Sequence, residues 1–411
     1  MANIFYGISS ESHVGKKIDR WISIAGIPDV FSERDGHLIK YQTKLLGKYD
    51  VVSIDEALKR YPDADVWITY GQPGYVPGML ATKLPTEKIR FLEADLEYRK
   101  GCSFLGNTIL YRENSFSPCC STGQGPVFKV SGPVLQRLIQ WQDDTTKLVD
   151  DVRHERPNKC QKCHRLKDGF WRKSVKLNQF IFGATSRSDV CNFHCIYCLH
   201  AKKKESLKDV SAGNEVYEII QQLSEIPEHN SEALTIGFGN GEFCAYKHCD
   251  DTLDIFLKTK WRMNLFSNCS IYKEQISTLM EGGRIKTLVT SLDAGTRETF
   301  EKIKQRDMFD RVVENLRRYP LSKTQFDAKY IFLDGINDNE KDVDGFYEIV
   351  KEVGGAIMLS SDRHLPYTEK MREMALRMIK KAKADGIRII IDNVYLNPLD
   401  AKFISENCAK T

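Results

Sequence analysis

Hydrophobic and polar positions along the second half of the chain switch between two periods. Val216, Ile219, Ile220 and Leu223 recur at i, i+3, i+4 and i+7, one face of an amphipathic helix. Ala233–Ile236 is a short apolar run, as in a strand buried on both faces, and a helix around Leu253–Leu257 follows it. The alternation continues with a strand ending at Ser267, a helix over Tyr272–Met280 and a strand over Ile285–Ser291. A long helix over Thr296–Tyr319 precedes strands at Ala328–Leu333 and Gly355–Ser360. Repeating strand–helix units require parallel strands with right-handed crossovers. Met371, Met374, Ala375 and Met378 then form a stripe on a helix from Thr368 to Ala384, read as core packing. Gly386 stops that helix, and Ile387–Ile391 makes a last strand.

The first 170 residues carry no such alternation. Short strands are expected at Val51–Ile54, Val66–Tyr70 and Arg90–Ala94 in a small α/β domain, with a later helix through Leu135, Leu138 and Ile139. The expected divisions are 1–98, 99–170, 171–320 and 321–411.

Cysteines carry the chemistry. Cys191, Cys195 and Cys198 stand at CxxxCxxC spacing, with Tyr197 just before the last. Iron–sulfur cubanes take four thiolates, so three on one loop would leave one iron open. A zinc knuckle is the competing reading, with His194 or His200 as fourth ligand. Upstream, Cys102, Cys119, Cys120, Cys160 and Cys163 outnumber what packing requires. Four of these thiols would close a tetrahedral site for zinc or iron, with Cys119 and Cys120 supplying one ligand between them.

Three strand ends carry polar or glycine-rich tips. Gly237–Glu242 reads Gly-Phe-Gly-Asn-Gly-Glu; Glu242 falls where a dinucleotide-binding GxGxxG has its third glycine. Ser267 and Asn268 end the next strand, and Ser291 and Asp293 lie in Ser-Leu-Asp-Ala-Gly at the one after. Taken singly, each polar residue reads as an ordinary helix cap.

The cysteine loop and these tips, in this order, resemble the radical S-adenosylmethionine (SAM) superfamily. The resemblance implies an α/β fold with a partial (β/α)6 barrel, here preceded by a small α/β domain and a Cys-rich metal-binding segment, with chemistry at the C-terminal strand ends. It implies a [4Fe-4S] cluster on Cys191, Cys195 and Cys198, and SAM held near Gly239, Gly241, Glu242, Ser267, Asn268, Ser291 and Asp293. Reductive cleavage of SAM would then supply a hydrogen-abstracting radical, so no side chain is singled out as acid, base or nucleophile.

The order of parts resembles the cobalamin-dependent protein-arginine methyltransferases of methanogenic archaea. That likeness implies cobalamin as a further cofactor and an unactivated arginine Cδ as the target. It also implies the alpha subunit of methyl-coenzyme M reductase as protein partner, and an external electron donor. Asp362–Tyr367 approaches the cobalamin signature Asp-x-His-x-x-Gly, but Tyr367 replaces the glycine, so His364 reads as a surface histidine. Cobalamin is expected within 321–411. A peptide maturase remains the alternative, because Phe116–Cys120 resembles auxiliary-cluster modules; a non-catalytic iron–sulfur scaffold is the third reading.

Composition narrows the rest. A formal charge of +4 over 411 residues, without a basic stripe, argues against a nucleic-acid partner. Neither a secretion signal nor a membrane-spanning run of apolar residues is read, so a cytoplasmic location is expected. Twelve cysteines in such a chain point to metal ligation rather than disulfides.

Overall fold

Seven parallel strands, hydrogen-bonded in sequence order, form the frame on which the cysteine loop rests. They are β1 (Gln179–Phe182), β2 (Thr235–Phe238), β3 (Arg262–Phe266), β4 (Ile285–Ser291), β5 (Gln325–Phe332), β6 (Ala356–Ser361) and β7 (Ile389–Ile391). This computed structural model describes residues 2–8, 22, 25, 28–33, 51–69, 80, 83–91, 96–112, 115–119, 125–163, 165–183, 190–198, 214–239, 241–392 and 394–409. Two units are resolved: Met1–Thr108 with Pro118–Phe128 and Ile139–Lys176, and Ile109–Ser117 with Lys129–Leu138 and Leu177–Thr411.

In the larger unit, every residue of β2 is buried, as expected where helices cover both faces of a parallel sheet. The intervening helices are α1 (Asn214–Ser224), α2 (Cys249–Lys258), α3 (Glu274–Glu281), α4 (Arg297–Lys304), α5 (Phe309–Arg318), α6 (Glu340–Val353), α7 (Glu369–Ala384) and α8 (Pro398–Ala409). Val216, Ile219, Ile220 and Leu223 of α1 are all buried, each worth about 1.5–3 kcal/mol of hydrophobic free energy. The methionine stripe of α7 is buried too, which makes it packing. At the β1 edge, a hairpin of Thr108–Arg112 and Ser115–Ser117 extends the sheet, an addition the sequence pattern did not announce.

The expected long helix over Thr296–Tyr319 is two helices. Gln305 adopts φ 57°, a left-handed C-cap that ends α4, and α5 restarts at Phe309. Gly295 and Gly345 explain why the turn after β4 lies flat on α6. A Cβ on Gly295 would stand 2.1 Å from the Asp342 carbonyl oxygen and 2.4 Å from the Phe346 nitrogen.

The smaller unit is an open parallel sheet in the order Val51–Val52, Val30–Glu33, Asn3–Ile8, Asp65–Ile68, Ile89–Phe91. The strands expected near 51, 66 and 90 are there, while Asn3–Ile8 and Val30–Glu33 were not anticipated. Tyr70 and residues 92–94 lie outside the described residues. Ile4, Tyr6, Val66, Ile68 and Ile89 form its core. An antiparallel pair, Leu96–Gly101 with Lys167–Arg172, and the part of helix Val134–Arg153 from Ile139 onward complete the unit. Leu105, Leu148, Val149 and Val152 make a second, small core against which Cys102 and Cys160 pack. No described helix is long and apolar enough to cross a membrane.

Candidate active site

The loop 190–198 is short on regular structure and is shaped by bonds to distant elements. The His194 and Ile196 amides donate to the carbonyls of Lys304 (3.1 Å) and Ile303 (3.0 Å), the unsatisfied acceptors at the end of α4. Arg306 Nε donates to the Asn192 carbonyl at 3.2 Å, and Arg363 Nη2 to the Tyr197 carbonyl at 2.5 Å. The Glu242 amide donates to the Val190 carbonyl at 2.7 Å. Asn268 Nδ2 reaches Asn192 Oδ1 at 2.8 Å and lies 3.9 Å from Cys191 Sγ. Cys191, Cys195 and Cys198 are all partly accessible.

Glu242, Ser267 and Asn268 come together as one group. The Glu242 carboxylate is buried and accepts from the Cys244 amide (3.0 Å), Ser267 Oγ (2.9 Å) and the Asn268 amide (2.5 Å). Burial pushes its carboxyl up, opposed by these hydrogen bonds. A side chain at Gly239 would project into open space, and Gly241 has φ 66°, which suits glycine. A cleft of about 390 Å³ opens there, lined by Phe182, Gly183, Val216, Phe238, Gly239, Glu242, Phe243 and Tyr246. Its aromatic wall, with Phe182 stacked on Phe238 at 5.5 Å, was not foreseen, since the aromatic residues are scattered along the sequence. Cys269 holds a left-handed φ of 55°, and its buried thiol lies 2.9 Å from Thr290 Oγ1 and is pushed up to about 12 by burial.

Ser291 and Asp293 belong to a different set. Ser291 ends β4 opposite Lys329 of β5. Asp293, fully buried, accepts from the Ile331 amide at 2.8 Å, from the Tyr197 hydroxyl at 2.6 Å and from the Lys304 ammonium. Tyr197, Lys304 and Arg363 are site residues that sequence reasoning missed. Lysine and arginine at helix ends and turns read as solvated, and nothing local reveals their burial or reach.

In the smaller unit, Cys102, Cys119, Cys160 and Cys163 line one cleft of about 350 Å³ with Phe104, Leu105 and Arg165. Burial raises the thiols of Cys102 and Cys160, the latter to about 12. Cys120 and His200 lie outside the described residues. Among the described residues, no three histidine, cysteine or acidic side chains stand in ligating geometry. Both cysteine sets nonetheless suit soft, thiolate-bound metals: three partly accessible thiols on one loop, and four around one largely apolar cleft. His364 is exposed on a turn, while Tyr367, where the cobalamin signature has glycine, is buried with its hydroxyl on the Ser360 carbonyl at 2.8 Å.

Residues 185–350 match the sequence profile of the Radical SAM superfamily. That segment, which takes in the cysteine loop and runs into α6, matches a radical SAM domain. Such domains hold a [4Fe-4S] cluster and SAM; here Cys191, Cys195 and Cys198 would hold the cluster, and the cleft beside Glu242 would face SAM. No curated protein matches the chain. Among solved structures, it is similar to Streptococcus suis SuiB bound to S-adenosylmethionine, 11% identical over 52% of this chain and 46% of that one, TM-score 0.37. A radical SAM methyltransferase from Sphaerobacter thermophilus is 16% identical over 49% of this chain and 63% of its own, TM-score 0.34. The methyltransferase TsrM from Kitasatospora setae, with cobalamin and a [4Fe-4S] cluster bound, is 10% identical over 92% and 75%, TM-score 0.33. The chain thus spans less than two thirds of the length of the first two.

Proposed function

We propose that the chain is a cobalamin-dependent radical SAM C-methyltransferase acting on an unactivated sp³ carbon of a protein, the Cδ of an arginine. The reading rests on one observation: an α/β unit and four cysteines lining one cleft precede the strands matched to the radical SAM profile, a layout resembling methanogenesis marker protein ten. The alpha subunit of methyl-coenzyme M reductase is the corresponding substrate, and an external donor supplies electrons. When bound, the cluster and SAM supply hydrogen abstraction, and cobalamin supplies the methyl group. The chain's own tasks are then to fix the cysteine loop, keep SAM against Glu242 and hold the target carbon in line.

Two places have support as a corrin seat. Leu365, Val394, Tyr395 and Leu399 are exposed apolar residues on segments following β6 and β7. In the smaller unit, strand order reverses between Asn3–Ile8 and Asp65–Ile68, where open α/β sheets bind ligands. The carrying experiment is an anaerobic titration of cluster-reconstituted protein with hydroxocobalamin, followed by spectra, metal analysis and amide exchange. Stoichiometric corrinoid binding, two SAM consumed per methylation and protection of one of these segments support the proposal. Absence of corrinoid binding overturns it.

The cysteine-lined cleft also favours a second reading, a peptide maturase using Cys102, Cys119, Cys160 and Cys163 for an auxiliary cluster. It differs in requiring one SAM per turnover, about eight irons per chain for two cubanes, and no corrinoid.

A further inference from the structure

Lys304 is the most unusual charged residue of the larger unit. Its side chain is 2% exposed, and lysine is almost never buried unless paired. The ammonium donates to Asp293 Oδ2 and, at 2.8 Å, to the Tyr197 hydroxyl, and it lies 5.2 Å from the centre of the Tyr197 ring. Tyr197 stands between Cys195 and Cys198, and its hydroxyl donates to Asp293 Oδ2 at 2.6 Å. The same turn of α4 that buries Lys304 accepts the His194 and Ile196 amides, so the loop is already held there by its backbone.

A buried ion pair is a costly way to hold a loop, since well-packed apolar residues commonly do as well or better. Backbone anchoring therefore leaves the charge unexplained. We infer that Lys304 is a positioning residue that, through Tyr197 and against the counter-charge of Asp293, sets the reduction potential of the cluster carried by Cys191, Cys195 and Cys198. The inference rests on the assignment of a cluster to that loop. One-electron reduction adds negative charge to the cluster, and a desolvated cation nearby stabilises that state and raises the potential. Asp293 acts with the opposite sign.

The test is a redox titration of the cluster in the full-length, reconstituted protein without SAM, monitored by electron paramagnetic resonance. Lys304→Met is expected to lower the midpoint potential, Asp293→Asn to raise it, and Lys304→Arg to restore it toward wild type. A merely structural role loosens the loop in both charge-removing variants and does not shift the potential in opposite directions. Where either variant fails to load a cluster, Tyr197→Phe is the deciding protein: it keeps the ring and the ion pair, removes the hydroxyl and is expected to lower the potential. Potentials equal to wild type in the loaded variants overturn the inference. A wild-type protein that binds no cubane overturns the cluster assignment instead.

Discussion

At the scale of single residues, the structure turns motif letters into contacts. The glycine closing Ser-Leu-Asp-Ala-Gly lies against the backbone of α6, with the Asp342 carboxylate accepting from the Gly295 amide at 3.2 Å and Thr296 Oγ1 at 2.9 Å. Gly295→Ala would drive a methyl group into backbone atoms that have no flexible end to move. Overpacking costs about 1–3 kcal/mol where side chains can yield, so a loss at or above the top of that range is expected. Denaturant unfolding of the purified variant measures it, and a wild-type midpoint would refute the close approach. Spacing alone brought Glu242, Ser267 and Asn268 to the right strand ends, because glycine and polar residues after apolar runs mark turns. It could not separate them from Asp293, whose partners lie 96 residues earlier in Tyr197 and 38 residues later in Ile331.

At the scale of elements, β2 was legible because burial on both faces keeps it apolar, and α1 because one face carries all its large aliphatics. The break between α4 and α5 was not, since Gln305 in a left-handed cap has no composition signal of its own. Helix pairing is equally hidden. Arg377 of α7 grips Asp344 of α6 through two bonds, 2.9 and 2.7 Å, and Lys381 adds a third at 3.1 Å. The Arg377 guanidinium, with Lys381 behind it, holds the Asp344 carboxyl at about 2, below its ordinary 3.8. A depressed carboxyl stabilises the fold above its ordinary value and loses that contribution as pH falls through the lower one. Asp344→Asn is therefore expected to cost about 0.5–1 kcal/mol at pH 7, the range of a partly exposed pair. The gap should narrow as pH falls toward 2. Thermal melts across that range check it, and a gap that does not change with pH would refute the pairing.

At the scale of the whole molecule, the two units differ in what holds them. The larger has a long sheet, whereas in the smaller Cys102 and Cys160 pack against a second core of four buried residues among those described. A core that small gains much from a metal cross-link. Cys160→Ser combined with Cys163→Ser, or prolonged chelation, is expected to lower one calorimetric transition by several degrees and leave the other in place. Two unchanged transitions would remove the metal from the smaller unit.

The anchoring of the cysteine loop has a consequence for how the holoenzyme is made. Tyr197 is held by Lys304, 107 residues further along, and by Arg363, 166 residues further along. Synthesis runs from the N-terminus, so the three thiols leave the ribosome long before the parts that shape them. Cluster insertion is thus expected to be a late event in the life of each chain. Nascent chains stalled before Arg363 should show these cysteines as alkylatable thiols even in a cell well supplied with iron and sulfide.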